Sequence, residues 1–302
     1  MHYILDPLYY AVSWVLVQFH SLLGLIFGKT SHESIKWSLS IILLVVLIRV
    51  ILIPLFVKQI KSQRALTALQ PHMKEIQKRH KDDRQKQSEE MMKLYKEHKT
   101  NPLASCFPIL AQAPIFFALF TVLNGISTGK GHGLMKGQVL EAAKQAQFFG
   151  ADLSSRFLSA NGTTQTKIVT VLLIIFMSAS TFSTQRQLMT KGMPKMDSSN
   201  NMMLQQQKIM LYVFPIIFAI SGVNFPVGVL LYWGTTNLWT FGQQMYVIKR
   251  NPTPGSPAYD EWKKKQDQKR KTESAPTDSN EGSVAVEEPK GQRQQPKKKK
   301  RR

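Results

Sequence analysis

WSLSIILLVVLIRVILIPLFV, residues 37–57, carries a single charge, Arg49, in an otherwise uncharged run. A helix of this length crosses the ~30 Å hydrocarbon core of a bilayer. A guanidinium within it costs at least ~2.5–3.5 kcal/mol, which is usually offset where the residue faces a water-filled cavity. At ~1.5 Å per residue, Arg49 stands ~13–14 Å from the Lys58 end of the run. An arginine at that depth either snorkels to the nearer surface or belongs to a functional site.

The rest of the chain supplies the setting. Its 302 residues include 40 Lys+Arg and 19 Asp+Glu, a net charge of +21. That excess calls for an anionic partner: lipid headgroups, nucleic acid or a ribonucleoprotein surface. Cys106 is the lone cysteine, so neither a disulfide framework nor a cysteine metal cluster is expected. The first 34 residues lack a basic n-region and a small-residue cleavage site, so no removable signal peptide is expected.

Apolar runs divide the chain into an N-terminal amphipathic segment (1–34) and five spans: 35–57, 103–126, 167–185, 209–222 and 227–248. Within the first segment, residues 8–27 are broken by Ser13, Gln18, His20 and Ser21, which favours a helix on the membrane surface over a sixth span. The fourth span has 14 residues, ~21 Å of helix, so the bilayer thins beside it or the helix begins earlier. Between the spans lie a basic segment (58–102), an outer loop containing a short helix (127–166), a second inner loop (186–208) and a basic tail (249–302) expected to be disordered. In the basic segment, Leu66, Leu69, Met73 and Ile76 form one apolar stripe and Met91, Leu94, Tyr95 and His98 a second. A turn at residues 81–84 makes them an antiparallel helical hairpin in water. Asn101-Pro102 ends it.

Basic residues orient the spans. The hairpin, inner loop and tail hold 12, 4 and 16 Lys+Arg, against 4 in the outer loop and 1 in the first 34 residues. The positive-inside rule puts the rich segments in the cytoplasm. The reading is therefore an all-α integral membrane protein: a five-helix transmembrane core, N-out and C-in, with a cytoplasmic antiparallel helical hairpin.

Enzyme chemistry finds no footing. Residues 24–30, GLIFGKT, resemble a phosphate-binding loop but have three residues, not four, between the glycines. The seven histidines show no i, i+4 pair, and the spans contain no Asp or Glu for proton-coupled transport. Asn161-Gly162-Thr163 fits a glycosylation acceptor but reads as a polar turn. No cofactor or metal is expected. The polar residues within spans remain: Gln112, Gln185, Asn237 and the hydroxyls near Thr184. Taken singly, each fits an interhelical hydrogen bond. Together with Arg49 they suggest a partly hydrated groove, loosened by prolines 54, 108, 114 and 215. A solute transporter would show internal repeats, which the halves lack. A membrane-anchored polyanion binder would use the KKKKRR end, Lys297, Lys298, Lys299, Lys300, Arg301 and Arg302.

Four strings resemble the YidC family of membrane protein insertases: IRVILIPLFVKQIKSQRALTALQP, EEMMKLYKEHKTNPLASCFPILAQAPIFFALF, QQQKIMLYVFPIIF and FPVGVLLYWGTTNLWTFGQQ. They cover most of residues 35–248 in the family's order. The resemblance implies a bacterial multi-pass protein of the cell membrane, not an enzyme, that inserts and helps fold newly made membrane proteins without ATP hydrolysis. It implies a groove open to the cytoplasm and closed outward, with Arg49 as groove arginine. Gln185 and Trp233 would line that groove, and the adjacent Tyr232 would meet the incoming segment. It further implies a hairpin docking targeting (signal recognition) or Sec translocon components, and a tail binding ribosomes. Val45 departs from relatives that carry a hydroxyl one turn before the arginine.

Overall fold

A computed structural model describes residues 2–28, 32–100, 107–159, 162–193 and 208–273, and helices dominate it. In chain order these are α1 (His2–Phe27), α2 (Glu33–Ile51), α3 (Ile53–Ala68), α4 (Gln70–Arg79), α5 (Arg84–Glu97), α6 (Phe107–Thr128), α7 (Gly137–Gln145), α8 (Thr164–Gln187), α9 (Phe214–Gly222), α10 (Val227–Arg250) and α11 (Pro257–Glu273). One antiparallel hairpin, β1 (Gln147–Phe148) and β2 (Ala151–Asp152), interrupts them. Two five-residue π-helical turns, Leu188–Gly192 and Ile209–Val213, extend α8 and precede α9.

Among the described residues, three helical stretches are long and apolar enough to cross a membrane: Leu5–Phe27, Glu33–Ile51 and Thr164–Gly192. Residues 112–128 and 209–222 are shorter apolar helices. The 24-residue α10 interleaves its apolar residues with Thr235, Thr236, Asn237, Thr240, Gln243 and Gln244, which dilutes its hydropathy.

The first apolar run is two helices. Pro54 has no amide hydrogen to donate into the preceding turn. The chain breaks at Leu52 and resumes as α3, while Leu52 N still donates to Ile48 O and Phe56 N to Leu52 O. Arg49 therefore stands one turn before a kink. In the basic segment, α4 and α5 pack side by side across a turn at His80–Asp83. Asp83 caps α5 by accepting from Lys86 N at 3.0 Å. The two apolar stripes meet: Tyr95 Oη donates to Met73 Sδ at 3.8 Å, and His72 stacks on His98. Burial pushes the Tyr95 phenol pKa up. The stop at Asn101-Pro102 lies outside the described residues.

The loop after α6 holds more structure than its composition announced. Beyond α7, the β1–β2 hairpin turns at Phe149 and Gly150, with φ of 49° and 79°. Two positive φ values at a two-residue turn match the right-handed twist of the strands. The hairpin has no Asn-Gly or Asp-Gly signal, and Phe149 occupies the first turn position.

Part of the tail expected to be disordered is helical. Pro257 opens α11 at a position where its missing amide costs nothing. Ser256 Oγ accepts from Tyr259 N at 3.3 Å, and Asp260 precedes a basic second half, which suits the helix dipole. Contacts divide the chain into one unit through Lys263 and a second from Lys264 onward.

The core has a direction. Helices α1, α2, α6, α8 and α10 contribute Leu16, Trp37, Ile41, Leu119, Val122, Val169 and Val229, joined by Met135 and Leu153 of the loop. All lie toward the ends of α2, α6, α8 and α10 that meet the 129–163 loop. That region is the loop end; the opposite one is the hairpin end.

Candidate functional site

Burial falls away along the helices from loop end to hairpin end. In α2 the fully buried residues are Lys36, Trp37, Ser38, Ser40, Ile41, Leu44 and Val45, with none after Val45. In α10 they run from Val227 to Tyr232 and Gly234, and then only Ile248 is buried. Described side chains of α6 before Ala118 are partly or fully exposed, whereas Ala118, Leu119, Val122, Leu123 and Ile126 are buried. The loop end is a packed plug, and packing loosens toward the hairpin end.

Arg49 sits where the plug stops. It is half-buried, and no carboxylate pairs with it among the described residues. Its guanidinium carbon lies 5.5 Å from the ring centroid of Phe56, across the Leu52 kink. Tyr232 of α10 lies within electrostatic range of it. Tyr232 is 4% exposed and hydrogen-bonds Thr236 one turn on.

Tyr232 leads to the aromatic cluster. Phe116 of α6 has its ring 6.4 Å from Tyr232 and 5.9 Å from Trp233. Trp233 also meets Phe218 of α9 edge-on at 4.6 Å and Phe225 at 5.8 Å. Three apolar helices converge there, and offset or edge-on pairs of this kind are the favoured aromatic geometry. Arg49, Tyr232 and Trp233 thus belong to one connected set. Gln112 lies one turn before Phe116 on α6, and its Oε1 is buried with no hydrogen-bond partner among the described residues. Gln187 Oε1, near the end of α8, is in the same state. Gln185 is half-buried, and no described contact joins it to Arg49 or Trp233. It shares a face of α8 with Thr181, whose Oγ1 accepts from Asn237 Nδ2 at 3.2 Å. Lys297 to Arg302 lie outside the described residues.

Two arrangements escaped the sequence. Phe56, Phe116, Phe218 and Phe225 looked like ordinary apolar residues; the i, i+4 pair Phe116–Phe120 was the one local hint. The second is a charged network at the loop end. The Lys36 side chain, 1% exposed, donates to Glu33 Oε1 and, at 3.2 Å, to Gly28 O. His20 of α1 meets Glu33 Oε2 at 2.8 Å and stacks on Trp37 at 4.2 Å. Further along α1, Ser13 Oγ accepts from Leu134 N at 2.9 Å. Both α1 contacts are with elements of the loop end. Among the described residues no cluster of three His, Cys, Asp or Glu side chains is disposed to hold a metal.

Comparison with known proteins gives one consistent result. The family described as "60Kd inner membrane protein" matches residues 27–254. A "Membrane protein insertase YidC" of Streptomyces avermitilis is 58% identical over 255 residues, covering 82% of this chain but 59% of that protein. This chain therefore spans less than two thirds of that relative. A protein of the same name from Tropheryma whipplei is 35% identical over 312 residues, covering 99% of this chain and 95% of its own. Among solved structures, an "Active YidC insertase" crystal structure is similar at 26% identity and a TM-score of 0.48, over 80% of this chain and 46% of that one.

Proposed function

The chain belongs to the YidC family of membrane protein insertases, and on that premise we propose that it moves newly made membrane proteins into the bilayer through a groove open at the hairpin end. The observation that carries this reading is the gradient of burial. A pore would be open along its length and a simple anchor closed along its length. A bundle plugged at one end and loose at the other admits water partway.

The energetics of Arg49 support it. Contact with Phe56 returns ~0.5–2 kcal/mol. That does not cover the ~2.5–3.5 kcal/mol minimum for a buried guanidinium. With no carboxylate paired to it among the described residues, water supplies the remainder. The bare Oε1 of Gln112 points the same way, because an unmet buried acceptor costs ~1–3 kcal/mol unless water reaches it.

Mechanism follows from these parts. A client segment brings an apolar stretch and a polar flank. The flank enters the groove, where Arg49 holds its carboxylates or carbonyl oxygens through charge-assisted hydrogen bonds. Its remaining dry path is the plugged length alone. The apolar stretch slides past α6 and the short 209–222 helix into lipid, and burial of ~20 apolar residues drives the step without nucleotide. In this reading α2 with the start of α3, α6, α8, α9 and α10 are the spans and α1 is a surface helix. The loop end then faces outward. The hairpin takes signal recognition or Sec components, and the basic tail takes ribosomes and anionic lipid headgroups.

Purified protein in liposomes, without ATP, should promote insertion of a single-span reporter, read as a protease-protected outer flank. Insertion no greater than into empty liposomes would overturn the proposal.

A further inference from the structure

A second cation, Arg156, sits at the opposite end from the groove in a recess of about 420 Å³. That volume lies within the ~300–1,000 Å³ range of small-molecule sites. The recess is built rather than incidental. Arg156 bridges Pro226, Val227 N donates to Ser155 O at 3.0 Å, and Gly228 N donates to Leu153 O at 2.9 Å, tying its backbone to the start of α10. Arg156 Nη2 donates to Asn124 Oδ1 of α6 at 2.9 Å. A guanidinium has five N–H donors, so this bond aims the group without exhausting it.

Among the described residues no acid pairs with it. The two carboxylates of the 127–166 loop are engaged elsewhere: Asp152 accepts from Gln147 and Ser155, and Glu141 pairs with Lys144. The recess walls add the hydroxyls of Ser127, Thr128 and Ser159 and the amide of Asn224. One cation amid neutral hydrogen-bonding groups is a site for a small anion that also carries hydroxyls.

The rim identifies the source of the anion. Leu158, 65% exposed, and Val223 stand at the edge of the recess. Val223 continues a stripe on α9 with Ile216 and Ile220, spaced i, i+4, i+7, and both isoleucines are exposed. An apolar track thus leads directly away from the polar recess. A soluble phosphate would have no use for it; a phospholipid would lay an acyl chain along it. We propose that the Arg156 recess binds the phosphate of an anionic, hydroxyl-bearing phospholipid of the phosphatidylglycerol type. The proposal rests on α9 facing lipid, and its readout is lipid retention rather than insertion, so either can fail alone.

Native mass spectrometry of the full chain, from micelles doped with phosphatidylglycerol or phosphatidylcholine, tests it. Wild type should retain phosphatidylglycerol in preference. Arg156→Gln should lower that retention about tenfold, while Arg156→Lys keeps most of it. Leu158→Ser and Asn224→Leu, at exposed positions that do not hold the loop, should each weaken retention as well. Equal retention by wild type and Arg156→Gln would overturn the proposal. So would displacement of the lipid by inorganic phosphate, which would make the site one for a free anion. Displacement by a short acidic peptide would assign it to polypeptide instead.

Discussion

Arg49 lies one turn beyond the last fully buried residue of α2, and in the proposed groove that position puts it at the inner limit of water. One turn earlier it would replace Val45 inside the plug, with no water to solvate it. One turn later it would fall on the Leu52 kink. Arg49→Ala should therefore impair insertion of clients with acidic flanks about tenfold or more, and Arg49→Lys should retain much of the activity because it keeps the charge. Reconstituted insertion of matched acidic-flank and neutral-flank reporters measures this; an equal loss for both would separate Arg49 from flank binding. The charge itself was plain in the sequence, since one arginine in an apolar run has few innocent explanations. Its partners were not. Phe56 and Tyr232 reach Arg49 through the Leu52 kink and the α2–α10 packing, and neither residue carries a local signal of such a meeting.

Elements were legible where periodicity ran long. The hairpin stripes follow from their spacing, whereas residues 35–57 read as one span and the structure breaks them at Leu52, where Pro54 supplies no donor. Short-range features without a signature were lost. The Phe149-Gly150 turn needs two positive φ values but lacks the usual residues, and α11 depends on a serine cap that composition hides. The docking of α1 was hidden too, because it joins residues far apart in sequence. It gives two predictions. Glu33→Ala leaves the buried Lys36 ammonium without its carboxylate, and should cost about 1–3 kcal/mol, seen as a lower melting temperature in detergent. Glu33→Gln should cost less, and an unchanged melt for Glu33→Ala would show that the network does not hold α1. Gly133 has φ +60°, and a Cβ there would lie 2.1 Å from Ser13 Oγ and 2.8 Å from Tyr9 O. Gly133→Ala should therefore loosen α1 and expose it to limited proteolysis, with little change in the hairpin.

At the scale of the whole molecule, charge and packing divide the labour. The basic segments carry most of the positive charge, while the described core carries the burial gradient. Removing residues 274–302 should weaken ribosome association with a strong salt dependence and leave insertion by the core largely intact. Co-sedimentation across a salt series reads the first effect and the reconstituted assay the second. Loss of insertion on truncation would place the tail within the transport step.

In the proposed groove, water enters from the hairpin end as far as Arg49 and stops at the plug. In a Cys106→Ser background, Arg49→Cys and Val45→Cys can be treated with a membrane-impermeant maleimide from each side of sealed vesicles. Labelling of position 49 from the hairpin side alone, with position 45 unreactive from both sides, is the expected result. A position 49 that stays unlabelled from the hairpin side would mean that no water path reaches it, and the groove would fall.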